Sequence, residues 1–321
     1  MVARKTRTQR TNKKSVRKQW LFPSIGRVLI FLFLFFGLMF SLCSAGYVVF
    51  FRTVFAQEIM PVLKNSVVFE EPDPPPHLAV GSVVVVPNST APVTERDNKP
   101  KRTDLPKVAI IVDDIGYNYK IGQQLLEMPL ELTFSFLPFA PYTKQLENAA
   151  HVLGKTVLLH LPLQPQSSRF DPGPGALMLA DSAIVQIEKL RRCLDEVPHA
   201  VGVNNHMGSL FTQDTDAMQR IMVELSRQEL FFVDSYTTSA SVALEVALKS
   251  GVKSARRHVF LDNVLNQEQI CGQLEKLVDV ALKGGVGIGI AHPHEVTLSA
   301  LKSCVPLYES KVQYVSVLEV L

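Results

Sequence analysis

From Lys107 onward the chain alternates short, apolar, β-branched runs with longer stretches of helical periodicity, and that alternation leaves few folds open. Val108-Ala109-Ile110-Ile111-Val112 is continuously apolar, as expected for a strand buried on both faces of a parallel sheet. Further strands are predicted at Leu132–Leu137, Thr156–Leu159, Ala200–Val203, Leu230–Val233, Val286–Ile290 and Tyr314–Val317. Between them, Asp181 is placed to cap a helix whose apolar face carries Ile184, Ile187, Leu190 and Leu194. Asp214 or Asp216 starts another helix, with Met218, Ile221, Met222 and Leu225 on one face. Val242–Lys249 and Gln267–Lys283 are two more, the second closed by Gly284. This pattern implies an α/β domain over 107–321, a parallel sheet with helices outside. Seven or so strands fit a closed or nearly closed barrel better than a small open sheet.

The polar residues fall at the ends of those strands. Asp113 and Asp114 follow the first, His160 ends the third, and Asn204-Asn205-His206 follow the fourth. Asp234 ends the fifth, and His292 and His294 follow the Val286 strand. In parallel α/β barrels these ends converge on one rim, where several strands contribute catalytic groups. Singly, each has a structural reading: an aspartate capping the next helix, a hydrogen-bonded histidine, or Gln164, Asn204 and Asn205 satisfying loop backbone. Jointly they read as a site. His77, His151, His199 and His258 lack that support. An Asp/His set without thiolates suits zinc or another divalent ion with one position left for water. Such an ion acidifies its water and polarises a carbonyl, while a second carboxylate takes a proton and a histidine protonates the leaving group.

Two other motifs are set aside. Gly284-Gly285-Val286-Gly287-Ile288-Gly289 runs from helix into strand, the reverse of a dinucleotide-binding loop. Its glycines are expected to cap the helix and let the strand pass close to its neighbours. No GxSxG surrounds any serine.

The N-terminal third differs. Residues 1–56 hold 10 of the 33 basic residues and no acid, leaving 23 basic against 30 acidic residues beyond. A nucleic-acid partner for the folded part is thereby excluded, since phosphate neutralisation needs a basic face. Val28 to Phe51 is a run of 24 uncharged residues, long enough for a membrane-spanning helix. The basic segment 1–27 before it holds that side in the cytoplasm. A cleaved signal peptide is the competing reading, but the apolar run is longer than a usual signal core. Residues 52–106 form a Pro-rich linker, stiffest at Pro72-Asp73-Pro74-Pro75-Pro76. Outside the membrane run stand Cys193, Cys271 and Cys304. Their odd number and irregular spacing predict no disulfide framework and no thiolate zinc site, and Cys193 and Cys271 are expected as small buried hydrophobes.

Five blocks carry a resemblance. They are Val108–Gly116 with its Asp-Asp pair, His160-Leu161-Pro162-Leu163-Gln164-Pro165, Gly202-Val203-Asn204-Asn205-His206-Met207-Gly208-Ser209, Val233-Asp234-Ser235 and Ile290-Ala291-His292-Pro293. From about Lys107 to the C-terminus the chain resembles the divergent polysaccharide deacetylase family, related to the NodB-type deacetylases and carbohydrate esterases. The resemblance implies a distorted (β/α) barrel and metal-dependent removal of N- or O-acetyl groups from glycans. It implies Asp113 as general base, His292 as general acid and Asp234 as the residue positioning the base or the metal. It further implies Asp114 and His160 as metal ligands. Gln164 stands where ordinary members carry a second histidine ligand, and His206 from the next strand is expected to replace it. Asn204, Asn205 and Gln164 are expected to meet substrate.

The expectation is therefore a single-pass protein of a bacterial inner membrane with its C-terminal domain in the periplasm or outside the cell. It would use Zn2+ or another divalent ion to deacetylate an envelope polysaccharide, peptidoglycan included. A catalytically weak glycan-binding or scaffold protein is the alternative. A metal phosphoesterase ranks lower for want of a second-metal carboxylate cluster.

Overall fold

The structure, a computed structural model, describes residues 29–30, 32–37 and 105–321. The chain divides into two units, Met1–Val67 and Val68–Leu321. In the first, the described residues are helical, and Leu29, Ile30, Phe33, Leu34, Phe35 and Phe36 are exposed. Among the described residues no helix is long and apolar enough to cross a membrane. Most of the expected span at 28–51 and nearly all of the linker at 52–106 lie outside the described residues.

Among the described residues of the second unit nine strands alternate with helices. They are β1 (Lys107–Ile115), β2 (Thr133–Phe136), β3 (Thr156–Leu163), β4 (Gly202–Met207), β5 (Phe231–Asp234), β6 (Ser254–Arg256), β7 (Val259–Phe260), β8 (Val286–Ala291) and β9 (Gln313–Tyr314). The helices are α1 (Tyr119–Leu126), α2 (Thr143–Val152), α3 (Ala183–Glu196), α4 (Thr215–Arg227), α5 (Ala243–Lys249), α6 (Gln267–Gly284) and α7 (Glu295–Cys304). All strand pairs are parallel, in the order β6-β5-β4-β3-β2-β1-β8-β7, with β9 added beside β1. The two end strands β6 and β7 are consecutive in the chain and separated only by Arg257-His258. Arg257 N–H bonds Asp234 O on β5 and His258 N–H bonds Ile288 O on β8, so this dipeptide bridges the edges without a β6–β7 ladder. The result is a curled parallel sheet of the expected distorted-barrel kind, left open at one seam.

Period-two alternation sorts its side chains. Ala109, Ile111, Leu158, Phe231, Val233, Phe260, Ile288, Ile290 and Val317 form one apolar cluster. Val108, Ile110, Val112, Phe134, Phe136, Leu159 and Val203 belong to the larger one, shared with the helices. The first set fills the concave face and the second the convex face beneath the helices. Continuing the concave series along each strand reaches Asp113 after Ile111, His160 after Leu158, Ser235 after Val233 and His292 after Ile290.

Local details refine the expected boundaries. Ser182, not Asp181, caps α3, its side chain accepting from Val185 N–H. Asp181 instead accepts from Met178 N–H and Lys189 Nζ. Asp214 caps α4. The helix at 267 ends one residue later than expected: Gly285, with φ 83°, is its left-handed cap. Gly287 and Gly289 let β8 pass close to α6, since a Cβ at either would come within 2.8 Å of Leu277.

The cysteine expectation is corrected. Cys193 is free and buried, but Cys271 and Cys304 form a disulfide between α6 and α7. A bond between single residues of two packed helices leaves no spacing pattern in the sequence.

Candidate metal and acid–base site

The site begins with an irregularity in β1. Ile111 pairs with Thr133 and Val112 with Phe134, but the next partner of Phe136 is Ile115, so one extra residue bulges out. Asp114 adopts φ 55°, a left-handed conformation that aspartate tolerates better than most residues. In a regular strand Asp113 and Asp114 would point to opposite faces. The bulge turns both towards His160, whose Nε2 lies 3.7 Å from Asp113 Oδ2 and 3.2 Å from Asp114 Oδ1. Gly116 follows with φ 138°, where a Cβ would strike Thr143 and Ala140.

Asp114, His160 and His206 form one cluster, the first on β1, the others on β3 and β4. His206 Nδ1 is 3.0 Å from Asp114 Oδ1 and 3.2 Å from His160 Nε2. All three residues are buried, and neither Asp114 oxygen accepts a conventional hydrogen bond. Burial alone would raise the Asp114 pKa, but the neighbouring His206 and His160 outweigh it and hold the carboxyl well below its usual range. Three ligand atoms each about 2.0–2.1 Å from a tetrahedral zinc stand about 3.3 Å apart. The observed triangle is near that size, and its carboxylate lacks any other donor, so this set fits a divalent ion.

Asp113 is wholly buried and its pKa is raised, chiefly by burial, with His160, His292 and Asn204 offsetting part of the shift. Asn204 Nδ2 donates to both of its oxygens, at 2.8 and 2.9 Å. The amide oxygen of Asn204 accepts from Ser135 Oγ at 2.5 Å and meets His160 Nδ1 at 2.9 Å. His292 also lies on this rim, stacked on Phe260 with ring centroids 5.0 Å apart. Asp262 grips it twice: Oδ1 lies 2.9 Å from His292 Nδ1, and Oδ2 accepts from the His292 backbone N–H at 2.7 Å. Thr297 Oγ1 donates to the same Oδ2.

Not every expected residue joins this set. Asp234 follows Val233 and so has the opposite parity. Its carboxylate accepts from Tyr236 N–H, Ser241 Oγ and Arg256 Nε, on the far side of β5 from Asp113. Asn205 likewise alternates away from Asn204, accepting from Ser235 N–H and donating to Met207 O. Gln164 turns towards the loop that follows β3: Oε1 accepts from Leu179 N–H, and its carbonyl accepts from Leu210 and Phe211. The three amides expected to meet substrate are thus engaged with the protein itself. Conversely, Asp262, Ser135 and Ser235 belong to the site and were not expected. Tyr117, half-buried and within the fields of Asp114 and Asp171, is a further neighbour. Strand parity would have found Ser135 and Ser235; Asp262 follows a two-residue strand too short to show a pattern.

Comparison with known proteins agrees with this architecture. An uncharacterized protein YibQ of Escherichia coli K12 is 37% identical over 200 residues, 62% of this chain and 62% of that protein. The match therefore spans less than two thirds of that relative. An uncharacterized protein of Haemophilus influenzae Rd is 36% identical over 197 residues, 61% of this chain and 70% of that protein. The crystal structure of an uncharacterized protein from Agrobacterium tumefaciens C58 superposes with a TM-score of 0.65 at 24% identity, covering 68% of this chain and 89% of that one, and so shares the fold. The sequence model described as divergent polysaccharide deacetylase matches residues 110–321. The chain belongs to the divergent polysaccharide deacetylase family.

Proposed function

We propose that this chain is a metal-dependent hydrolase that removes acetyl groups from an envelope polysaccharide, peptidoglycan being the natural substrate class for a domain held outside a bacterial inner membrane. The observation that carries the reading is the Asp114–His160–His206 triangle with Asp113 against its His160 corner. In this reading the triangle holds Zn2+ or a similar ion, which when bound supplies Lewis-acid polarisation of a carbonyl and an acidified water. Asp113, held by Asn204, accepts a proton. His292 delivers one to the departing amine or alcohol, and Asp262 at Nδ1 turns the ring so that Nε2 is the transferring atom. Asn205 and Gln164 keep the rim loops in place, and Asp234 ties the loop after β5 to the end of β6 through Arg256.

Placement outside the cytoplasm rests on two features. The basic segment before an uncharged run of 24 residues favours an N-in, C-out anchor. The Cys271–Cys304 disulfide is the kind of bond that persists in oxidising compartments.

Burial favours a second reading. Asp113 and His160 are 0% exposed and His292 1%, so a substrate carbonyl must reach groups with almost no open surface. A glycan-binding or scaffold protein retaining a structural metal would look like this. Acetate release separates the two. The zinc-loaded full chain in detergent should liberate acetate from acetylated amino-sugar oligomers, and Asp113→Asn should abolish most of it. Glycan binding with no acetate from a broad panel would leave the binding role.

A further inference from the structure

Asn204 sits where the acid–base residue and the metal triangle meet, and its four hydrogen-bonding positions are all used. Nδ2 supplies two hydrogens, to the Asp113 carboxyl and, at 3.3 Å, to Ser235 Oγ. Oδ1 has two lone pairs, taken by Ser135 Oγ and His160 Nδ1. Flipping the amide would press its oxygen against Asp113 and its NH2 against the ring nitrogen, so the carboxyl of Asp113 fixes which way the amide points. With the oxygen facing His160, Nδ1 of that ring must carry its proton. Nε2 is then the atom left for an ion, and it is the atom aimed at Asp114 and His206; without an ion it can take a second proton and donate to Asp114.

We infer that Asn204 is a positioning residue that sets the tautomer of His160 and thereby couples the Asp113 side of the site to the metal side. This rests on the proposed metal triangle for its purpose, but the tautomer is a property of the protein alone. A histidine ligand oriented through its second nitrogen is a general device for strengthening a metal site. Here a neutral amide provides it, and the same amide holds the neighbouring carboxyl.

The two duties can be separated by substitution. In Asn204→Asp an oxygen still faces His160 Nδ1, while the amide donor to Asp113 is replaced by a carboxyl that must share a proton with it. In Asn204→Leu, of similar size, both are gone. The full chain, labelled with 15N-histidine, stripped of metal and held in detergent, is read by NMR, with His160→Gln identifying the His160 signals. At a pH high enough to leave the ring neutral, the wild type should keep its proton on Nδ1, Asn204→Asp should keep that pattern, and Asn204→Leu should lose it. Zinc competition against a chromophoric chelator should show Asn204→Leu about 10–100-fold weaker and Asn204→Asp near the wild type. Thermal midpoints establish that each variant is folded. A neutral wild-type His160 with its proton on Nε2 instead of Nδ1 would overturn the inference. So would a folded Asn204→Leu with unchanged tautomer, or equal zinc losses in both folded variants. A wild type with the expected tautomer and no zinc affinity would support the Asn204 assignment while removing the metal reading.

Discussion

Asp113 and Asp114 are adjacent in the chain, yet both reach one nitrogen, His160 Nε2, at 3.7 and 3.2 Å. Only the bulge in β1, with Asp114 at φ 55°, makes this possible. Asparagine also tolerates the left-handed region, so Asp114→Asn should keep the bulge while zinc affinity falls at least about 10-fold. Asp114→Val places a β-branched residue at that φ and should cost about 1–3 kcal/mol of stability as well. Chemical denaturation and metal content of both variants check this. Equal stability of the two would deny that the bulge is strained.

Asp262 should act on turnover through His292 and not through the metal triangle. Asp262→Asn keeps an oxygen for one of the two His292 contacts but removes the charge beside Nδ1. Zinc content should stay at the wild-type level while turnover of an acetylated glycan falls, by up to the about 10²–10⁴-fold typical of an acid–base group. Loss of zinc in that variant would instead tie Asp262 to the metal triangle.

Asp234 offers the converse. Removing its carboxylate leaves Tyr236 N–H, Ser241 Oγ and Arg256 Nε without their acceptor. Asp234→Ala should cost at least about 1–3 kcal/mol of stability and leave zinc affinity unchanged. A variant that unfolds normally but binds no zinc would restore Asp234 to the site.

These contrasts show what could be read from the sequence. The Val108–Val112 run and the polar strand ends were plain, because a buried parallel strand admits few polar residues before its C-terminal edge. Asp113, His160, Asn204, His206 and His292 sit one concave step beyond apolar neighbours or in series with one another, and parity would also have set Asp234 and Asn205 on the other face. Parity fails at Asp114, where the bulge reverses it, and no propensity in Asp113-Asp114-Ile115 announces a bulge. The edge strands β6 and β7, of three and two residues, carry no period and hid Asp262. The Tyr314–Val317 strand shrank to Gln313–Tyr314, after which Val317–Val320 winds into a 3₁₀ turn capped by Ser316.

The disulfide joins stability to compartment. Cys271 and Cys304 are 33 residues apart, and closing a loop of that size in the unfolded chain is worth about 3–4 kcal/mol in the chain-entropy account. Cys271→Ser should lose most of that, and reduction of the wild type should produce the same loss. Glutathione would keep the pair reduced if the domain lay in the cytoplasm. Alkylating intact cells before lysis therefore reports the side of the membrane. Cys193 will not confuse the count in the native state, since burial pushes its thiol up to about 12 and away from the reactive thiolate. Cells producing the full chain should yield Cys271 and Cys304 unalkylated until a reductant is added. The chain from residue 52 onward, deprived of the uncharged run and made in the same cells, should yield both alkylated. Alkylation of both cysteines in the full chain would place the domain in the cytoplasm and remove the envelope glycan as its substrate.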